Sequence, residues 1–395
     1  MTIKLSSRVQ AVKPSPTLAI TARAAALRAE GKDVIGLGAG EPDFDTPEHI
    51  KKAALKAIAD GKTKYTAVDG TATLKQAIID KFRRDNGFEY AADQILVSCG
   101  GKQSFYNLAQ AILDPGDEVI IPAPYWVSYP DMSILAGGVP VLIHADAGQH
   151  FKMTPAQLRG ALTENTRLVV INSPSNPTGM AYTSDELAAL GEVLREHPKV
   201  VIATDDMYEH IRWNTDVPFV NILNACPDLA NRTMVLNGVS KAYSMTGWRI
   251  GYAGGPAEVI KAMKKIQSQS TSNPTSISQY AAEAALNGPQ ECIGEMLVQF
   301  KKRHDYVVHR LNGMPGIECL PTDGTFYVFP SVKGLIDAID GVNDDLQLAE
   351  HLIVHAGVAL VPGAAFGLSG HARISIATSM ENLENALDRI EKVIG

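Results

Sequence analysis

The chain has 395 residues, 45% of them hydrophobic and 20% charged, with a formal charge of −7. That length exceeds the roughly 250–300 residues at which one core stops growing, so two lobes are expected, and the negative balance excludes a general attraction to nucleic acid or to an anionic membrane. Four scattered cysteines without a CxxC pair point to neither a zinc site nor a disulfide framework, and neither a signal peptide nor a run of roughly 20 apolar residues is visible, so a cytoplasmic location is expected.

Pro14 and Pro16 precede an alanine-rich helix predicted over 18–29, placed as an arm outside the main sheet. A short strand over 33–37 leads into Gly38-Ala39-Gly40-Glu41-Pro42, where a proline and a missing third glycine rule out a dinucleotide fingerprint. Thr46-Pro47-Glu48 opens a helix that Gly61 closes, which leaves Tyr65 on a loop, and a second helix is predicted over 74–84. From residue 94 strands and helices alternate. Apolar Val/Ile-rich runs at 94–98, 118–122, 139–143, 168–172, 199–204, 233–237 and 249–253 read as strands buried on both faces, and Thr183-Ser184-Asp185-Glu186 is a capping box. The expected fold class is therefore α/β, with a mostly parallel sheet and functional loops at the carboxyl ends of its strands.

Beyond residue 255 the pattern changes to long helices at 257–265, 277–286 and 292–311, then short strands at 325–329, 358–361 and 372–376 and a closing amphipathic helix. The predicted division is an arm of residues 1–45 joining the small lobe, a large α/β lobe of 46–280 and a small α+β lobe of 281–395.

Several loops at predicted strand ends carry chemistry. Lys241 stands among the small residues Gly238, Ser240 and Ala242 just beyond a buried strand, and a lysine amine there can bind an aldehyde covalently and carry protons; an ordinary surface lysine is the alternative. Gly100, Gly101 and Lys102 open a helix whose N–H groups can cradle a phosphate, or simply form a tight turn, and without a glycine at position 96 no Walker motif exists. Asp205 follows an apolar strand, so its carboxylate needs a cationic partner, whereas Asp206 suits a helix cap. Asn176 precedes a proline and reads equally as a turn residue. Arg373 alternates with apolar neighbours, and its planar fork suits a carboxylate. His351 and His355 have metal-ligand spacing, but Leu352 stands where a zinc protease needs glutamate, so they are taken as structural and no metal is expected.

The run from Gly238 to Gly251 resembles the cofactor-attachment motif of class I aminotransferases, the aspartate aminotransferase family with fold type I. Ala39-Gly40-Glu41-Pro42-Asp43-Phe44, Lys64-Tyr65, Gly100-Gly101-Lys102, Pro124-Tyr125-Trp126, Asn176-Pro177-Thr178-Gly179, Asp205-Asp206-Met207-Tyr208 and Arg373 recur in that family's order, so the resemblance covers nearly the whole chain. It implies pyridoxal 5'-phosphate on Lys241, with Asp205 at the ring nitrogen, Tyr208 and Asn176 at the ring oxygen and Trp126 over the ring. Gly100, Gly101, Lys102, Ser240 and Arg249 would surround the phosphate, joined by Tyr65 from a second subunit of a homodimer with shared active sites. It further implies Arg373 and Gly40 at the substrate's α-carboxylate.

Within the family, the branch this sequence most resembles accepts aspartate and prephenate, which implies Lys102 for an acidic side chain, assisted by Ser268 or Ser270 of the second subunit, and Lys13 for prephenate. Both lysines also read as ordinary solvated charges. The expected activity is amino transfer from aspartate or glutamate to a 2-oxo acid such as 2-oxoglutarate. The alternatives are an aromatic or broad-specificity aminotransferase, a lyase or decarboxylase on the same fold, or a ligand-sensing regulator, for which no additional DNA-binding segment is visible.

Overall fold

The computed structural model describes residues 3–14 and 16–394; Met1, Thr2, Ser15 and Gly395 lie outside the described residues. Twelve strands are found among the described residues. Seven of them, β2 (Ile95–Ser98), β3 (Glu118–Ala123), β4 (Val139–His144), β5 (Thr166–Asn172), β6 (Val201–Asp205), β7 (Thr233–Gly238) and β8 (Gly251–Gly254), form one sheet in the order β2-β8-β7-β6-β5-β3-β4. The remaining five are β1 (Ile35–Gly36), β9 (Tyr327–Val328), β10 (Val358–Ala359), β11 (Val361–Pro362) and β12 (Ala372–Ser375).

Pairing from β4 through β7 is parallel, and β8 runs antiparallel to both its neighbours. Every residue of β2, β7 and β8 is buried, and helices cover the two faces with separate apolar cores, one containing Ile78, Val97, Val169 and Val235 and the other Phe105, Val119, Val170 and Leu236. Adjacent strand residues thus enter opposite cores, as the period of two requires. Each large aliphatic side chain so enclosed contributes about 1.5–3 kcal/mol.

A third core joins Leu37 and Tyr208 to Phe300, Phe326, Leu348, Ile374 and Leu387. It is framed by the helices Glu291–Asn312, Asp345–His355 and Met380–Ile394 and by two small sheets, β1-β10 and β11-β12-β9. β1 pairs in parallel with β10, Ile35 opposite Val358, so the amino-terminal strand lies against the carboxyl-terminal part of the chain. No helix among the described residues is long and apolar enough to cross a membrane.

Some predicted boundaries shift for local reasons. The run 358–361 is two strands, because β10 pairs with β1 while β11 pairs with β12. The strand expected at 249–253 starts at Gly251, because Arg249 takes a left-handed φ of 57°. The helix expected over 74–84 is α-helical only over Ala72–Lys81 and then widens into a π turn, Phe82–Asn86. The helix Ser128–Leu135 was not anticipated; it has no side-chain cap and no apolar stripe to announce it.

Candidate active site

β5, β6 and β7 are parallel; β5 and β6 end level, Asn172 opposite Asp205, and β7 runs two residues past Leu236, the residue opposite Asp205. Because β8 is antiparallel, its first residue, Gly251, lies beside Gly238 at the end of β7 and beside Ser98 at the end of β2. Four strand ends and one strand start therefore meet at a single edge, as expected for a ligand site in an open α/β sheet. A cavity of about 420 Å³ opens there, lined among others by Gly40, Lys102, Trp126, Asn176, Asp205, Tyr208, Ser240, Lys241, Arg249 and Arg373.

The glycine loop is built for close approach. Gly100 caps the helix Gly101–Ile112 with φ 85°, and a β-carbon there would run into the Arg249 guanidinium, while one on Gly251 would overlap the Gly101 backbone nitrogen. The first turn of this twelve-residue helix lies beside Arg249, Lys102 and Ser240, an arrangement that suits an anion. Lys102 lies 5.3 Å from the Trp126 ring centre, and burial together with Arg249 lowers its pKa.

Asp205, Arg373 and Lys241, all in the cavity wall, have no oppositely charged partner among the described residues. Asp205 accepts from the Tyr129 hydroxyl at 2.5 Å and from the Met207 N–H at 3.3 Å; burial raises its pKa against those bonds. Arg373 is 3% exposed. It donates to Asn176 Oδ1 at 2.9 Å and to the Gly38 carbonyl at 2.8 Å, stacks 4.4 Å from the Tyr327 ring centre, and keeps Nε unpartnered. Lys241 Nζ donates to the Gly40 carbonyl at 2.5 Å, and burial, followed by the nearby Arg373, pulls its pKa down to about 8. Tyr208 Oη lies 3.1 Å from Tyr327 Oη.

These positions test the fit of pyridoxal 5'-phosphate. A phosphate suits the helix turn beside Arg249, an aldehyde the amine of Lys241, a ring cation the lone Asp205 carboxylate and a carboxylate the lone Arg373 fork, so the residues present fit the group.

Not every expected residue reaches this cavity. Tyr65 is 91% exposed and does not line it. Lys13 is exposed on the arm, with its backbone N–H at the Asp131 carboxylate. Ser268 and Ser270 bond to carbonyls of their own helix turn, at Lys265 and Gln267.

Several lining residues were missed by the sequence reasoning, among them Thr17, Tyr129, Asn172 and Tyr327. The Thr17 hydroxyl is enclosed without a partner, and Asn172 donates to the Asp205 carbonyl at 2.9 Å. Tyr129 had a usable signal, since it lies one turn beyond Trp126; the others are joined to the site only by tertiary packing.

The sequence profile described as aminotransferase class I and II matches residues 32–390. The chain belongs to this family. The aminotransferase is 59% identical over 397 residues to the aspartate/prephenate aminotransferase of Nitrosomonas europaea, covering 99% of this chain and 100% of that one. It is 55% identical to the protein of the same name from Cereibacter sphaeroides, over 98% of each chain. Among solved structures, the aspartate aminotransferase of Rhizobium meliloti superimposes with a TM-score of 0.96 at 51% identity, covering 100% of this chain and 99% of that one. That of Thermus thermophilus, determined with maleate, gives 0.93 at 43% identity over 99% and 100%. The fold is therefore that of the aspartate aminotransferases, fold type I.

Proposed function

We propose that the protein is a pyridoxal-5'-phosphate-dependent aspartate aminotransferase that also takes glutamate and 2-oxoglutarate, with prephenate as a further acceptor. One observation carries the reading: Lys241, Asp205 and Arg373 face one cavity, and none has an oppositely charged partner among the described residues. The relatives named aspartate/prephenate aminotransferase support the substrate choice.

When bound, pyridoxal 5'-phosphate supplies an aldehyde and an electron-withdrawing ring that stabilises negative charge at the substrate's α-carbon. Lys241 Nζ is the covalent anchor and, once freed, moves the proton at that carbon. Its low pKa suits the task, because an amine near its midpoint at neutral pH both accepts and returns a proton. Asp205, kept in place by Tyr129, holds the proton on the ring nitrogen. Tyr208 and Asn176 bond the ring oxygen, and Trp126 covers the ring and excludes water. Gly100, Gly101, Ser240 and Arg249 hold the phosphate, with Tyr65 of the partner subunit completing the set in a homodimer; the exposure of Tyr65 suits that role.

Arg373 takes the α-carboxylate in bidentate fashion, with Gly40 beside it. Lys102 attracts the side-chain carboxylate of an acidic substrate, and Lys13 reaches the outer carboxylate of prephenate. In this reading residues 46–280 carry the cofactor, while 281–395 with the arm 1–45 carry Arg373, and catalysis takes place in the cytoplasm.

A panel of aspartate, glutamate, aromatic and branched amino acids, run as half-reactions with and without an acceptor oxo acid, tests the proposal. Rapid formation of 2-oxo acid from aspartate, requiring an acceptor for repeated turnover, is expected. Continuous turnover without an acceptor would instead mark a lyase or decarboxylase.

A further inference from the structure

Beneath the cavity floor lies a set of charges that the chemistry above does not use. Lys81 has no exposed surface and Glu209 is 4% exposed, so two opposite charges have been withdrawn from water. Their contact is direct, and burial, which alone would raise the Glu209 pKa, is outweighed by Lys81, His210 and Asn86. Such a pair gives little net stability, because desolvation opposes the attraction; what it fixes is geometry.

The backbone changes its winding beside this contact. The α-helix ending at Lys81 widens into the π turn Phe82–Asn86, a feature that recurs at functional sites. Lys81 Nζ donates to Asn86 Oδ1 at 2.7 Å, and Asn86 Nδ2 donates to Glu209 Oε2 at 2.8 Å. Both anchors therefore reach one carboxylate. Asp85, Glu209 and His210 also gather donor atoms as a metal site would, but this cluster has its own cations: Lys81, in contact with Glu209 and 3.9 Å from Asp85, and Arg84, 2.6 Å from Asp85.

The other side of the carboxylate explains its use. Glu209 Oε1 accepts from Asn237 Nδ2 at 2.7 Å, and Asn237 Oδ1 accepts from the Gly238 N–H at 2.7 Å. Asn237 stands near the end of β7, four residues before Lys241, and Glu209 directly follows Tyr208, four residues after Asp205. One side chain thus ties together the two segments that present Lys241 and the Asp205–Tyr208 pair.

We infer that Glu209 is a positioning residue: anchored by Lys81 and Asn86, it bonds Asn237 and sets the separation between the Asp205–Tyr208 loop and the segment leading into Lys241. The inference rests on the aminotransferase reading, since both segments must face one cofactor.

Two variants test it. Asn237→Ala deletes the link to β7 but leaves Lys81 and Glu209 paired, whereas the double variant Lys81→Met/Glu209→Gln removes both charges and keeps an acceptor oxygen for Asn237. With pyridoxal 5'-phosphate bound, N237A is expected to lose roughly half of the cofactor's visible circular dichroism and about tenfold in kcat, with the amino-donor KM within about threefold. The double variant, in which Asn86 and Asn237 still flank the residue-209 side chain, should retain most of both signals.

N237A with wild-type visible dichroism and kcat overturns the inference, even where the melting temperature falls, because that is a structural effect alone. A double variant that folds by far-ultraviolet dichroism yet is as impaired as N237A overturns it too. If the double variant does not fold, N237A decides by the same criteria. A wild-type protein giving no visible cofactor band would overturn the aminotransferase reading itself, and with it the basis of the inference.

Discussion

The Tyr129 hydroxyl donates to Asp205 Oδ2 at 2.5 Å, and no cation among the described residues completes the pair. A carboxylate in that setting suits a positive group that arrives with a ligand, since burial raises its pKa and disfavours its charge. Asp205→Asn should therefore fold and bind cofactor but lose about 10²–10³ in kcat, the scale of removing one preorganised electrostatic partner. A cofactor analogue with a permanently charged ring nitrogen should restore part of the loss; no restoration would show that Asp205 acts elsewhere.

Arg373→Lys keeps the charge but removes the planar fork that reaches Asn176 and the Gly38 carbonyl. A point charge cannot reproduce two parallel bonds. The expected result is a fall of about tenfold or more in kcat/KM for every amino-acid substrate, since all share the α-carboxylate. Loss confined to acidic substrates would place Arg373 at the side-chain carboxylate instead.

The low pKa of Lys241 predicts a pH profile. In the cofactor-free protein, acylation of this amine should rise with a midpoint of about 8, where an ordinary lysine has 10.5. Arg373→Leu should move the midpoint upward, because Arg373 is the second cause of the shift after burial. The sign for stability follows: the unfolded chain retains the proton between these two values, so the penalty for enclosing the ammonium is fully present below about 8 and fades as pH rises toward 10.5. An unshifted midpoint would contradict the burial of Lys241.

Substrate choice is tested at two lysines. Lys102→Ala should lower kcat/KM for aspartate about tenfold more than for a neutral amino acid, the difference expected of one partly desolvated charge. Lys13→Ala should impair prephenate far more than aspartate. Equal losses on both substrates, or rapid turnover of leucine with none of aspartate, would contradict the acidic-substrate reading.

The large sheet was legible because its strands are apolar on both faces, and the residues expected at their ends, Asn176, Asp205, Lys241 and Arg249, do meet at one edge. What was not legible depends on distant pairings. Tyr129 and Asp205 are 76 residues apart, and Tyr208 and Tyr327 are 119 apart, so no local pattern announces either contact. The π turn was equally hidden: a helical period continues through Phe82, and the contact beside the turn is with the buried Glu209, far along the chain. Short strands such as β10 and β11 merged into one run because both are apolar and only their partners separate them.

The covalent anchor is the centre of the account, and borohydride reduction of the holoenzyme followed by peptide mapping tests it most directly. The account predicts that the reduced cofactor sits on the peptide containing Lys241, and that Lys241→Ala retains cofactor through the remaining contacts but gives no such adduct and no turnover. Cofactor recovered on another lysine, or a turning-over K241A variant, would contradict it.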